Sequence, residues 1–80
     1  MPTVPNIPGP YRFFFCSFDG NEPRHVHVRR DRAPGKFWLE PVVLAYNNGF
    51  SAKEWNRTRK IILDHSDRIR EAWDEHFGQQ

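Results

Sequence analysis

The chain has 80 residues, which is enough for one domain and too few for two. Seven Phe, three Trp and two Tyr supply the large rings that a short chain needs for a core. The net charge of +2 favours no class of partner, and a single cysteine, Cys16, excludes an internal disulfide and a multi-cysteine zinc framework.

The first half of the chain predicts β-structure behind an extended leader. Residues 1–10 hold four of the seven prolines, so we expect an extended leader there and a single domain over residues 11–80. Alternating or aromatic runs bounded by turn residues predict strands at 11–18, 25–30 and 36–40. Residues 42–46 predict a fourth strand, and a short helical turn over 41–47 is the alternative.

The second half has helical periodicity. Ser51 and Glu54 have the spacing of a capping box, which predicts a helix beginning at Ala52. Apolar or small residues then recur at helical intervals up to Phe77, and Gly78 is a natural terminator. One unbroken helix would be about 39 Å long, so we expect a bend or break within 64–67. The buried positions are predicted to be Trp55, Ile62, Ile69 and Trp73.

These elements predict an α+β fold, in which three to four antiparallel strands pack one face against the helical segment. Alternation places Val26, Val28, Phe37 and Leu39 on the helix-facing side. The other side of the sheet is then polar and aromatic, and its predicted members are Arg12, His25, His27, Arg29, Lys36, Trp38 and Glu40.

This polar side permits three readings, which the residues alone leave open. His25 and His27 have the spacing for a general base and a general acid, with Arg12 and Lys36 stabilising charge on a phosphate. That is the chemistry of a metal-independent ribonuclease, which needs no cofactor, and Trp38 offers a ring on which a base can stack. Alternatively, the two histidines bind a metal ion with Asp19 or Glu40 as a third ligand, or the surface contacts only water or a protein.

Positive charge is concentrated between residues 24 and 36. The basic residues there outnumber the one acidic residue, Asp31, and they are Arg24, Arg29, Arg30, Arg32 and Lys36. Such a cluster is typical of a surface that binds RNA phosphates or an acidic partner, and it also fits a solvated hairpin loop. The absence of a secretory leader and of a long apolar run predicts a cytoplasmic protein that does not enter a membrane.

Several motifs resemble one family of small prokaryotic proteins. They are Arg-Phe-Phe-Phe at 12–15, Asn-Glu-Pro-Arg-His-Val-His-Val at 21–28, Lys-Phe-Trp-Leu-Glu-Pro at 36–41, Gly-Phe-Ser at 49–51, Glu-Ala-Trp at 71–73 and His-Phe at 76–77. The family is described as domain of unknown function 4160. The resemblance implies a toxin-like protein of a type II toxin–antitoxin pair, with a cognate antitoxin as its partner. The family's His-x-His hallmark falls on His25 and His27, and its basic strand positions fall on Arg12 and Lys36.

Overall fold

The sheet contains four strands, and each strand pairs with its neighbour in the sequence. The computed structural model describes residues 3–5, 7 and 9–78. Strands β1 (Arg12–Phe14), β2 (His25–Arg30), β3 (Ala33–Leu39) and β4 (Val42–Asn47) form an antiparallel sheet in the order β1-β2-β3-β4. Helices α1 (Ala52–Asp64) and α2 (Ser66–Phe77) follow. The predicted α+β fold is therefore confirmed.

Two strand boundaries differ from the prediction by more than one residue. β1 ends at Phe14 and not at residue 18, because the Asp19 carboxylate accepts the backbone N–H of Cys16 at 2.7 Å and the chain turns there. β3 begins at Ala33 and not at residue 36, so the β2–β3 hairpin turns through Asp31, which has a φ of 52°. Residues 42–47 form β4, and the alternative of a helical turn is wrong.

The helical predictions are confirmed at three positions. The Glu54 backbone N–H donates to Ser51 Oγ at 3.2 Å, and both bonds of the capping box are present. The break falls at His65, between α1 and α2. Gly78 ends α2 with a φ of 82°, a backbone conformation that glycine adopts without steric cost.

The core lies between one face of the sheet and the two helices. Three helical side chains are fully buried, namely Ile62, Ile69 and Trp73. They belong to one core with buried residues of the strands and the residues flanking β1, which are Tyr11, Phe13, Phe15, Val26, Val28, Phe37 and Leu39. Trp55 was predicted to be a core residue and is only half-buried, because Thr58 takes the central position on α1. In the leader, Val4 donates its backbone N–H to the Phe13 carbonyl at 2.8 Å and is itself buried.

Candidate functional site

The opposite side of the sheet, here called the open face, carries two rows of side chains that cross the strands. In the first row, His27 lies directly opposite Phe14 on β1 and Lys36 on β3. In the second row, Arg12 lies directly opposite Arg29. Strand alternation predicted this side for all four polar residues, and the register brings them together.

Asp19 is the centre of the polar contacts on the open face. A short 3-10 turn at Asp19–Asn21 holds it above the beginning of β2. Its Oδ2 accepts the Cys16 backbone N–H and lies 2.9 Å from His27 Nε2, while its Oδ1 lies 3.1 Å from His25 Nε2. Burial tends to raise the pKa of Asp19, but the hydrogen bonds and the nearby histidines outweigh it and hold that pKa below its ordinary value.

Only weak signals in the sequence pointed to Asp19. It was predicted as a turn residue and as one of two possible third metal ligands, not as the group that contacts both histidines. Its position in an Asp-Gly-Asn turn shortly before the His-x-His motif is the one feature that points to it. Glu40, the other possible ligand, forms an ion pair with Arg24.

His25 is fully buried and therefore differs from the accessible residue that the alternation suggested. Its ring lies beside His27 and Trp38, as predicted, but it also packs edge-on against Trp73 of α2, with centroids 5.1 Å apart. Nδ1 lies 2.8 Å from the Pro23 carbonyl, which makes it the donor of the well-directed hydrogen bond. Nε2 approaches Asp19 at ion-pair distance without hydrogen-bond alignment. His25 is buried because, as the first residue of β2, it is covered by the preceding turn and by Trp73.

His27 is the accessible member of the pair. Its side chain is 14% exposed, and its ring stacks on Phe14 with centroids 5.4 Å apart. Burial lowers the pKa of His27, although the Asp19 charge opposes this effect. The neutral ring therefore predominates at neutral pH, with Nε2–H donating to Asp19. Its Nδ1 carries the lone pair and has no hydrogen-bond partner among the described residues.

Lys36 and Trp38 lie together on β3. Lys36 Nζ lies 4.6 Å from the centroid of the Trp38 ring and 2.7 Å from Glu22 Oε1. This hydrogen bond to Lys36 lowers the pKa of Glu22. The Lys36 charge therefore lies beside His27 and is paired with the exposed Glu22 carboxylate. A phosphate that binds Lys36 would have to displace Glu22 or bind beside it.

Arg12 and Arg29 form a pair of like charges on the open face. Arg12 donates to Thr3 Oγ1 at 3.0 and 3.1 Å, and its guanidinium lies 5.1 Å from the centroid of the Phe14 ring. Neither arginine has an ion pair with a carboxylate in the described part of the chain. Like charges directly across a strand pair are destabilising on their own, which makes this a suitable position for an anion.

The predicted cluster between residues 24 and 36 is not one surface. Arg24 contacts Asp74 at 2.6 Å and Glu40 at 3.1 Å, so it ties the beginning of β2 to α2. Arg30 pairs with Glu54. Both are largely neutralised, and Arg29 is the member of the cluster that joins the open face without a carboxylate partner.

The most compact group of metal-ligating atoms does not use the histidine pair. One atom each from Cys16, Asp19 and His27 lie within 4.8 Å of one another, and all three residues are half-buried. Burial and the Asp19 charge raise the pKa of the Cys16 thiol. The sequence predicted no functional site that includes Cys16.

The family model described as Domain of unknown function (DUF4160) matches residues 11–74, which contain every open-face residue named above. No curated protein and no solved structure matches the chain. Within the described residues, the structure contains no helix that is both long and apolar enough to span a membrane.

Proposed function

From the premise that the chain belongs to the family described as Domain of unknown function (DUF4160), we propose that it is the toxin-like component of a toxin–antitoxin pair and cleaves single-stranded RNA without a metal. The observation that supports this proposal is the environment of the His27 ring. The ring is held by Asp19 through one nitrogen, presents the other as a base, and lies beside Arg12, Arg29 and Lys36.

The proposed reaction uses the RNA 2′-hydroxyl as the nucleophile. His27 Nδ1 accepts the hydroxyl proton, the 2′-oxygen attacks phosphorus, and the 5′-oxygen leaves with a proton taken from water. The products are a 2′,3′-cyclic phosphate and a free 5′-hydroxyl. Asp19 stabilises the imidazolium that forms, because its Oδ2 already accepts the Nε2–H of the ring.

The neighbouring side chains suit the substrate. Arg12 and Arg29 carry the charge that attracts phosphates, and Lys36 stabilises the charge that builds on the phosphorane. Trp38, at the end of the same face, offers a ring on which an unpaired base can stack. An RNA duplex would not fit this role, since its bases are already stacked.

The proposal assigns different roles to the two histidines. His25 has no exposed surface, so it is a positioning residue for Asp19 and not the second acid–base group. This revises the expectation that both histidines contact the substrate. His27 keeps its predicted role as a proposal.

A growth experiment with matched histidine variants tests the proposal. Wild-type protein, induced in a bacterial host, should arrest growth and shorten cellular RNA. His27→Asn should abolish both effects while remaining folded, and His76→Asn should behave like wild type because His76 is exposed on α2. Arrest and RNA loss that persist in folded His27→Asn protein would contradict the proposal.

A second candidate function is a protein-binding module without enzymatic activity. The observation that favours it is a groove of about 330 Å³ at the β4 end of the open face, lined by Pro23, Arg24, Trp38, Glu40, Pro41 and Val43. Val43 in the groove and Tyr46, which lies on the same strand as Val43 and opposite Lys36, are large apolar side chains that are 42% and 47% exposed. An antitoxin could dock there. Tight binding of a cognate antitoxin, with no RNA cleavage by the isolated chain, would favour this function.

A further inference from the structure

We propose that Cys16, Asp19 and His27 form a binding site for a thiophilic divalent cation, zinc, and that the bound cation switches off the base. The binding site stands on its own geometry. The inhibitory effect rests on the proposed function, because it concerns the same histidine.

The geometry is close to that of a three-ligand zinc site. The three donor atoms lie within 4.8 Å of one another. Tetrahedral zinc with ligand distances of about 2.0–2.3 Å holds its donors roughly 3.3–3.7 Å apart, so no pair of donors needs to close by more than about 1.5 Å. A rotation of the Cys16 or His27 side chain supplies a movement of that size. The fourth position remains open to water, as in other three-ligand sites.

The donor set selects for zinc. Once Cys16 gives up its proton, the site offers one thiolate, one carboxylate and one neutral imidazole, and the two negative charges balance the cation. One proton leaves the thiol for each cation that binds. A soft thiolate favours zinc over magnesium and calcium, which prefer oxygen ligands.

The surroundings hold the ligands in place. Asp19 is fixed by the Cys16 backbone N–H at 2.7 Å and by the buried His25, whose own Nδ1 is held at the Pro23 carbonyl. Hydrogen bonds of this kind orient a metal-binding carboxylate, so its side chain loses little conformational freedom when the metal binds. Cys16 and Asp19 follow β1 directly and His27 lies on β2, so the short turn between these strands brings all three together.

Zinc and the proposed base compete for the same electrons. A neutral imidazole has one nitrogen lone pair. Zinc bound at Nε2, the ring nitrogen that faces Asp19, would shift the ring proton to Nδ1 and leave no lone pair to accept a proton from RNA. Zinc binding should therefore inhibit RNA cleavage, and chelation should restore it. Loss of Cys16 should make the enzyme resistant to zinc while leaving the base intact.

Cobalt(II) is the probe that tests the site independently of activity. The reduced full chain should bind one Co²⁺ with a thiolate-to-cobalt absorption band in the near ultraviolet, and Zn²⁺ should displace it. Cys16→Ser should lose the band and weaken binding by at least about tenfold. His27→Asn should also weaken binding, whereas His76→Asn should match wild type. Absence of the band, or equal affinity in wild type, Cys16→Ser and His27→Asn, would overturn the proposal.

The cleavage assay separates this proposal from the proposed function. Protein that shows the thiolate band but never cleaves RNA supports the metal site and refutes the ribonuclease. Protein that cleaves RNA but shows no band refutes the metal site alone. Zinc inhibition of wild type that is lost in Cys16→Ser supports both, and equal zinc inhibition of the two proteins overturns the switch.

Discussion

Replacing Asp19 with asparagine should destabilise the fold, because it removes the carboxylate charge that Cys16 and His27 contact. The wild-type carboxylate accepts the Cys16 N–H and the His27 Nε2–H and also faces His25 Nε2, while its side chain is only 11% exposed. Asparagine keeps the shape and one acceptor oxygen, but it removes the charge that strengthens the hydrogen bonds from Cys16 and His27. Hydrogen bonds to a charged group contribute about 1.5–3 kcal/mol each, which is about 1–2 kcal/mol more than a neutral hydrogen bond contributes.

The expected loss in the free energy of unfolding is therefore about 2–4 kcal/mol for Asp19→Asn. In a domain of this size, 1 kcal/mol corresponds to a Tm change of roughly 4–8 °C, so Tm should fall by at least about 8 °C. Urea unfolding followed by tryptophan fluorescence measures the free energy, and a calorimetric scan measures Tm. Both should be recorded at neutral pH, where the wild-type carboxylate is ionised.

Asp31→Asn is the matched control. Asp31 is exposed in the β2–β3 turn with a φ of 52°, and asparagine tolerates that conformation, so the change should stay within about 0.5 kcal/mol. If Asp19→Asn unfolds as Asp31→Asn does, Asp19 is not the group that organises the open face.

Three further changes test other parts of the structure. Trp73→Ala should cost about 3–5 kcal/mol in chemical unfolding, because Trp73 is fully buried against Phe15; a loss under 1 kcal/mol would contradict its central place. Ser51→Ala should cost about 1 kcal/mol through loss of the N-cap, whereas Ser51→Asp should be nearly neutral in the same assay. Acid should destabilise the protein in two steps in a pH series of unfolding curves. The pKa of His27 is lowered, so the unfolded state binds more protons and stability falls once pH drops below about 6.5. The pKa of Asp19 is also lowered, so its contribution is lost below about pH 4. Asp19→Asn should weaken that second step, to which Glu22 and Glu54 also contribute because Lys36 and Arg30 lower their pKa values.

Local patterns in the sequence predicted most of the fold. Alternation placed Val26 and Val28 in the core, and the capping box located the first residue of α1. These features depend on residues close together in the chain, so a single sequence contains them. The early end of β1 depends on the hydrogen bond that the Cys16 backbone N–H donates to the Asp19 carboxylate. This bond competes with strand pairing and leaves no trace in the hydrophobic pattern.

The sequence predicted the positions of site residues only where strand alternation determines which face of the sheet a side chain occupies. Alternation put His27 and Lys36 on one face, and the structure places them directly opposite each other. The burial of His25 depends on Trp73, and the neutralisation of Arg24 depends on Asp74, 50 residues further along the chain. Neither contact produces a periodic pattern in the sequence. The sequence therefore predicted that His25 and Arg24 are both available to a substrate, whereas His25 is buried and Arg24 is ion-paired.

The decisive experiment incubates the purified protein with a short single-stranded RNA in the presence of a metal chelator. Cleavage should leave 2′,3′-cyclic phosphate and 5′-hydroxyl ends, should be lost in His27→Asn, and should spare the DNA strand of the same sequence because DNA lacks the attacking hydroxyl. An intact RNA, or RNA and DNA cut equally, would contradict the proposed reaction.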